Sequence, residues 1–244
     1  MNRETANILN DTTTAFYAAQ AASFSATRQS AWPGWQRLKN LPNYPIIWQV
    51  LDVACGNGRF RQFLQQEMPQ VQVAYRGVDS CAPLAGGEVE QRDIVTELLD
   101  GSFDLGKQEV DLTVCFGFFH HVPGAEARQR LLRTLCAATK PGGLVALSLW
   151  RFMDEPGLAA KAQASTVRAL GHFACQGVSL ELDENDYLLG WQTQQKYFRY
   201  AHHFTEAEAD ALVAAAAPLA ALEDRFLADG RTGALNEYLV FRVK

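Results

Sequence analysis

The stretch Val50-Leu51-Asp52-Val53-Ala54-Cys55-Gly56-Asn57-Gly58-Arg59-Phe60 constrains this chain most, because it couples a buried strand to a glycine turn and then a helix. Residues 46–53 are almost continuously apolar and rich in β-branched side chains, as expected of a parallel strand covered on both faces. Gly56 and Gly58 permit positive φ and let a ligand approach the backbone without meeting a Cβ atom. Phe60, Phe63 and Leu64 recur at helical spacing, so the turn opens a helix whose free N–H groups would face a nucleotide-like cofactor.

The pattern around this stretch is strand, helix, strand. Residues 46–54, 59–66 and 71–78 read as a βαβ unit ending in Asp79. Further strands are expected at 88–92, 110–116 and 144–150. A helix over 125–139 buries Leu131, Leu132, Leu135 and Ala138, and Pro141-Gly142-Gly143 would end it. Residues 220–228 and 237–243 are strand-like and joined by Asp229-Gly230-Arg231-Thr232-Gly233, which predicts an antiparallel hairpin at one sheet edge. Residues 4–27 read as an N-terminal helix followed by an irregular segment. Between 151 and 204 lie a helix over 158–173 and an aromatic, polar segment at 186–204 that fits no sheet strand well; this insertion is expected to act as a lid.

The expected organisation is therefore a helical segment at 1–45 over the site and a cofactor-binding half-sheet at 46–150. The lid at 151–204 comes next, and 205–244 complete the same domain. With 244 residues and 48% hydrophobic content the chain can bury one substantial core. No run of about 20 uncharged apolar residues occurs and the N-terminus is polar, so a cytoplasmic protein without membrane contact is expected. Five cysteines show neither close pairing nor metal-ligand spacing, which predicts reduced thiols and no metal. A formal net charge of −5 argues against a broad nucleic-acid surface and against a DNA partner, though not against a local basic patch.

In an open parallel sheet, ligands bind beyond the carboxyl ends of the strands. Asp79 follows the second strand and lies 23 positions beyond Gly56, close to the separation at which an acid reaches ribose hydroxyls. Asp93 follows the third strand and precedes Ile94, a pairing suited to an adenine ring. The turn lacks the third glycine of the dinucleotide fingerprint, which disfavours hydride transfer. On these residues the chain resembles the class I S-adenosylmethionine-dependent methyltransferases, whose first motif is a hydrophobic strand followed by Asp-x-Gly-x-Gly-x-Gly; Ala54 stands at the first glycine. The resemblance covers roughly 46–150 and the terminal hairpin. It implies an α/β, doubly wound, Rossmann-like sheet of seven strands, mostly parallel with an antiparallel last strand. It also implies S-adenosyl-L-methionine as cofactor, held by Asp52, Ala54, Gly56, Gly58, Asp79, Ser80, Asp93, Ile94 and Phe116.

A second stretch, Phe24-Ser25-Ala26-Thr27-Arg28-Gln29-Ser30-Ala31-Trp32-Pro33, resembles the Phe-Ser-x-Thr-Arg-x-x-x-Trp-Pro of the eukaryotic wobble-uridine tRNA methyltransferases. His120-His121, Asp186-Tyr187-Leu188-Leu189-Gly190-Trp191 and Arg199-Tyr200-Ala201-His202-His203-Phe204 extend the likeness, with Gly190 in place of the family's proline. That family esterifies the carboxylate of a carboxymethyl group on uridine, and some of its members work with a small zinc-binding activating subunit. A carboxylate is ionised at neutral pH, so the chemistry needs alignment and dryness rather than a general base. A guanidinium suits the anchoring role. Arg28 is the first candidate for that anchor and Arg199 the second, with His121 and His202 as further active-site candidates. Trp32 is either a stacking surface or a packing plug.

Three functions remain open at this level. One is methylation of a carboxylate on a tRNA wobble uridine. Another is O-methylation of a small carboxylate or phenol, which the acidic chain suits better. The third is a cofactor-binding subunit without turnover.

Overall fold

The computed structural model describes residues 1–27, 30–40, 47–81, 89–106, 109–191 and 194–244. Chain order runs α1 (Arg3–Ala26), β1 (Ile47–Val53), α2 (Arg59–Glu67), β2 (Gln72–Asp79), β3 (Val89–Gln91), α3 (Ile94–Asp100), β4 (Val110–Cys115), α4 (Ala125–Ala138) and β5 (Thr139–Trp150). It continues through α5 (Pro156–Cys175), β6 (Asp186–Trp191), β7 (Gln194–His202), α6 (Glu206–Ala216), β8 (Ala220–Ala228) and β9 (Asn236–Val243). Seven strands form one sheet in the order β3-β2-β1-β4-β5-β9-β8. The first five are parallel, and β9 runs antiparallel to both β5 and β8. This is the doubly wound sheet and terminal hairpin that the sequence predicts.

Period-two alternation in the strands divides the core between two faces. Leu51 and Val53 of β1 pack with Leu98 of α3, Leu131, Leu132 and Leu135 of α4, and Leu212 of α6. Trp48 and Val50 point the other way, onto Phe60, Phe63 and Leu64 of α2 and onto Trp35 and Leu38 of a 3-10 segment at Pro33–Asn40. Strand order reverses between β1 and β4, which opens a crevice beyond their carboxyl ends.

Two expectations are corrected. Pro141-Gly142-Gly143 does not terminate α4; the helix stops at Ala138, and these residues lie within β5, whose pairing with β4 shifts register there. Thr139 makes the change of element, its hydroxyl donating to the Leu135 carbonyl at 2.8 Å. The aromatic segment at 186–204 is also not strandless, because β6 and β7 form a separate two-stranded antiparallel sheet. Both faces of that hairpin are covered, which erased the alternation from its sequence. Leu188, Phe198 and Tyr200 pack with Leu9 of α1, whereas Leu189 and Ala201 pack with Phe152.

The hairpin fixes α1 across the crevice. Leu9 and Phe16 are fully buried, each worth ~2 kcal/mol of apolar burial. Asn2 caps the helix by accepting from the Thr5 N–H, the Tyr200 N–H donates to the Thr13 hydroxyl at 2.9 Å, and the Asn10 amide donates to Asp93. No helix among the described residues is long and apolar enough to cross a membrane.

Candidate active site

The crevice widens into a cavity of about 590 Å³, within the range of small-molecule and cofactor sites. Its floor is built from the ends of parallel strands. Beyond β1, Ala54 has φ +61°, a left-handed conformation that a side chain disfavours by ~1–2 kcal/mol. Its N–H donates to the Val78 carbonyl at 2.7 Å, which holds the turn against β2. Gly56 has φ +53°, and no atom lies within 4 Å of where its Cβ would stand, so the backbone faces open cavity. Gly58, at φ +72°, is the N-cap of α2 and does not line the cavity.

Asp79 at the end of β2 is almost buried. Its two oxygens accept from the Gly56 N–H at 2.8 Å and the Cys81 N–H at 2.7 Å. Burial raises its pKa against these donors and that of Ser80. Of the carboxylate's roughly four lone-pair sites, these three donors leave about one open to a ligand hydroxyl. Asp52 is pushed up to about 7, chiefly by burial and further by Asp79; the Tyr75 hydroxyl, donating at 2.5 Å, and Arg59 oppose the rise. Asp52, Ala54, Gly56, Asp79, Ser80 and Phe116 all line the cavity.

Asp93 and Ile94 do not line it. The Asp93 carboxylate caps α3, accepting from the Thr96 N–H and hydroxyl as well as from Asn10, and Ile94 is buried in the core beneath. Gln91 and Val95 face the cavity there instead. An Asp that begins a helix is held by the backbone N–H groups it caps, which redirects the side chain.

The opposite wall comes from distant parts of the chain. Arg199 of β7 is only 6% exposed, lines the cavity, and lies within 5.1–5.7 Å of the rings of Phe16, Phe24, Trp150 and Trp191. Its guanidinium makes no hydrogen bond to any described residue, and Nε is both buried and without an acceptor. Aromatic faces stabilise the cation but leave its N–H donors unfilled. Within 151–204, Arg199 is the one described residue that reaches the cavity; the covering wall is built mostly by α1 and the residues after it.

His121 follows β4 on a short 3-10 turn and also lines the cavity. Its Nδ1 lies 2.5 Å from the Tyr200 carbonyl, which can only accept, so Nδ1 carries the proton. Nε2 is hydrogen-bonded to the Tyr17 hydroxyl at 2.8 Å. His202, by contrast, is corrected to a structural role. It is 1% exposed, lies off the cavity, and is hydrogen-bonded at 2.7 Å to Asp186 through Nδ1 and at 2.7 Å to Glu208 through Nε2. Glu208 sits near 2 although burial opposes this, because the His202 ring and the Thr205 N–H and hydroxyl stabilise its charge. Strand alternation explains the divergence: Arg199 and His202 are an odd number of residues apart and leave β7 on opposite faces. Arg28 lies outside the described residues.

Sequence reasoning missed Tyr17, Trp150, Asp229 and Asn236, which also line the cavity. Asn10, Thr13, Thr14 and Tyr17 form a polar stripe at helical spacing along α1, a signal that marked this face. Nothing local distinguishes the other three.

A doubly wound sheet of this order, with a glycine turn after β1 and an acid closing β2 around one cavity, defines an S-adenosylmethionine-dependent methyltransferase. The chain belongs to the methyltransferase-domain family, whose model matches residues 6–216. It is 28% identical over 146 residues to the tRNA (carboxymethyluridine(34)-5-O)-methyltransferase of Arabidopsis thaliana, covering 57% of this chain and 32% of that protein. It is also 28% identical over 141 residues to mouse ALKBH8, a protein of the same description, covering 57% and 20% respectively. The chain thus spans a third or less of these curated relatives. In fold it resembles the DhpI-SAM-HEP complex, with a TM-score of 0.61 at 18% identity over 96% of this chain and 97% of that one. It similarly resembles the putative methyltransferase of Haloferax volcanii solved with the Trm112 activator, with a TM-score of 0.58 at 13% identity over 95% and 97%. The residues present fit the cofactor of this class: the backbone at Gly56 is open to a ligand, and Asp79 keeps acceptor capacity for a hydroxyl donor.

Proposed function

We propose that this chain methylates a carboxylate carried by a wobble uridine of tRNA, forming the methyl ester. The observation that carries the proposal is the Arg199 guanidinium, buried in the cavity wall, caged by aromatic rings and without an acceptor among the described residues. A buried cation of this kind calls for an anion, and a guanidinium gives a carboxylate oxygen a charge-assisted hydrogen bond from donors fixed in one plane. The similarity to the Arabidopsis and mouse proteins supports uridine as the bearer of that carboxylate.

The turn at Ala54 to Gly56, with Asp79 for the ribose hydroxyls, would hold S-adenosylmethionine, with Asp52, Ser80 and Phe116 beside it. When bound, it supplies an electrophilic methyl group whose sulfur departs as a neutral thioether. Arg199 would orient the acceptor carboxylate by one oxygen while leaving the other free to attack. Phe24, Trp150 and the α1 side chains exclude water, which would compete for the same hydrogen bonds. His121, hydrogen-bonded to Tyr17, helps hold α1 over the acceptor; no proton needs to move, because the acceptor is already ionised.

The test is transfer of labelled methyl from S-adenosylmethionine to total tRNA lacking the modification, with and without a Trm112-type subunit. The expected label is nuclease-sensitive and released by mild alkali, as an ester is. Label confined to small acids would overturn the RNA assignment and favour the small-molecule reading, which the net charge of −5 suits.

A further inference from the structure

The C-terminal hairpin enters the cavity wall at one residue whose conformation and contacts set it apart. Asp229, immediately after β8, has φ +66°, although it is not glycine, and it is 6% exposed. Its carboxylate is filled from two directions. One oxygen accepts from Asn236 at 2.8 Å and from the Tyr238 hydroxyl at 2.5 Å, both of the same hairpin. The other accepts at 2.9 Å from the Gly34 N–H, 195 residues earlier in the chain.

Gly34 belongs to the segment Trp32-Pro33-Gly34-Trp35, and that segment lies against the cavity. A Cβ on Gly34 would stand 2.4 Å from the Tyr238 ring, so the backbone sits directly on the hairpin. Trp32 stacks on Trp35 with ring centroids 5.4 Å apart, and its ring comes within 3.0 Å of where a Cβ on Gly117 would be, beyond β4. The Arg59 guanidinium, 5.3 Å from the Trp32 ring, follows directly on the glycine turn and feels the Asp229 charge. The strap therefore touches the hairpin, the end of β4 and the first residue of α2 at once. The Trp35 N–H to Trp32 carbonyl bond closes the first turn of the 3-10 segment, and Trp35 anchors its far side against Phe60, Phe63 and Phe116, so Gly34 is where the strap meets the hairpin.

We propose that Asp229 is a positioning residue that latches the Trp32-Pro33-Gly34 strap onto the C-terminal hairpin and so sets how tightly the cavity retains its cofactor. The latch does not depend on which acceptor is methylated. An ionised acceptor gives a stronger hydrogen bond to a backbone N–H than a neutral group does, and its removal leaves a buried N–H unfilled.

Asp229→Gly keeps the positive φ of the turn while removing the carboxylate from Gly34 and from its hairpin donors Asn236 and Tyr238 together. We expect S-adenosylhomocysteine to bind this variant about tenfold more weakly, with the change in the dissociation rate measured by stopped flow and a red shift of tryptophan emission. Asp229→Asn keeps an acceptor for the Gly34 N–H and should recover most of the retention. Wild-type dissociation from a folded Asp229→Gly protein would overturn the proposal. If that variant does not fold, Gly34→Ala lifts the strap from Tyr238 while sparing the carboxylate. Unchanged retention there would overturn the proposal equally.

Discussion

The two halves of the cavity are built on different principles. The half proposed for the cofactor is backbone-made and local: the turn from Ala54 to Gly56 and the ends of β1 and β2 place backbone and acids around open space. The half proposed for the acceptor is side-chain-made and non-local, since Phe24, Trp150 and Arg199 come from α1, β5 and the β6–β7 hairpin. A local turn can be kept while the facing wall changes, which is how one methyl donor serves many acceptors.

Substitutions on either side test that division. Arg199→Met should show the largest effect, lowering kcat/KM for a carboxylate acceptor by ~10²–10³-fold through loss of a buried charged hydrogen bond. Calorimetry should find S-adenosylhomocysteine affinity within about twofold of wild type, because no aromatic ring of the cage belongs to the glycine turn. A matching loss of cofactor affinity would merge the two halves into one. Asp79→Ala is the converse case. It removes acceptors for ribose and strands the Gly56 and Cys81 N–H groups, so the dissociation constant should rise ~100-fold. Equal affinity in the two proteins would move the ribose site elsewhere.

A pH effect follows from Asp52, whose folded pKa near 7 lies above its ordinary value because of burial and Asp79. An acid shifted upward on folding stabilises the fold while protonated. That contribution is full below about pH 4 and is lost as pH rises through about 7. The melting temperature of the ligand-free protein should fall over this range, and Asp52→Asn should flatten the fall. An unaltered slope would place the titration in another group. Ala54→Gly should have the smallest effect. It relieves a left-handed alanine but adds unfolded-state freedom, a net gain of ~0.5 kcal/mol in urea denaturation. No gain would mean that the turn carries no strain at this position.

The legible part of the protein was the part whose signal is short-range. The strand, turn and helix at 47–67, Asp79, and the α4 face of Leu131, Leu132 and Leu135 could all be read from spacing alone. Asp93 shows the limit. Its place after β3 agreed with adenine recognition, yet three residues later Thr96 offers donors that a local sequence pattern cannot weigh against a distant ligand. In β6 and β7, burial on both faces hid the strands themselves.

Arg199 and His202 mark the boundary between sequence and structure most sharply. Both stand in one recognisable motif, and the sequence by itself determined the methyltransferase class and its sulfonium cofactor, while leaving the acceptor open between a tRNA carboxylate, a small carboxylate or phenol, and none. Only the tertiary structure decided that Arg199 faces the cavity while His202 is hydrogen-bonded between Asp186 and Glu208. The physical reason is that periodicity specifies which residues share a face, whereas packing of the whole chain decides what that face meets.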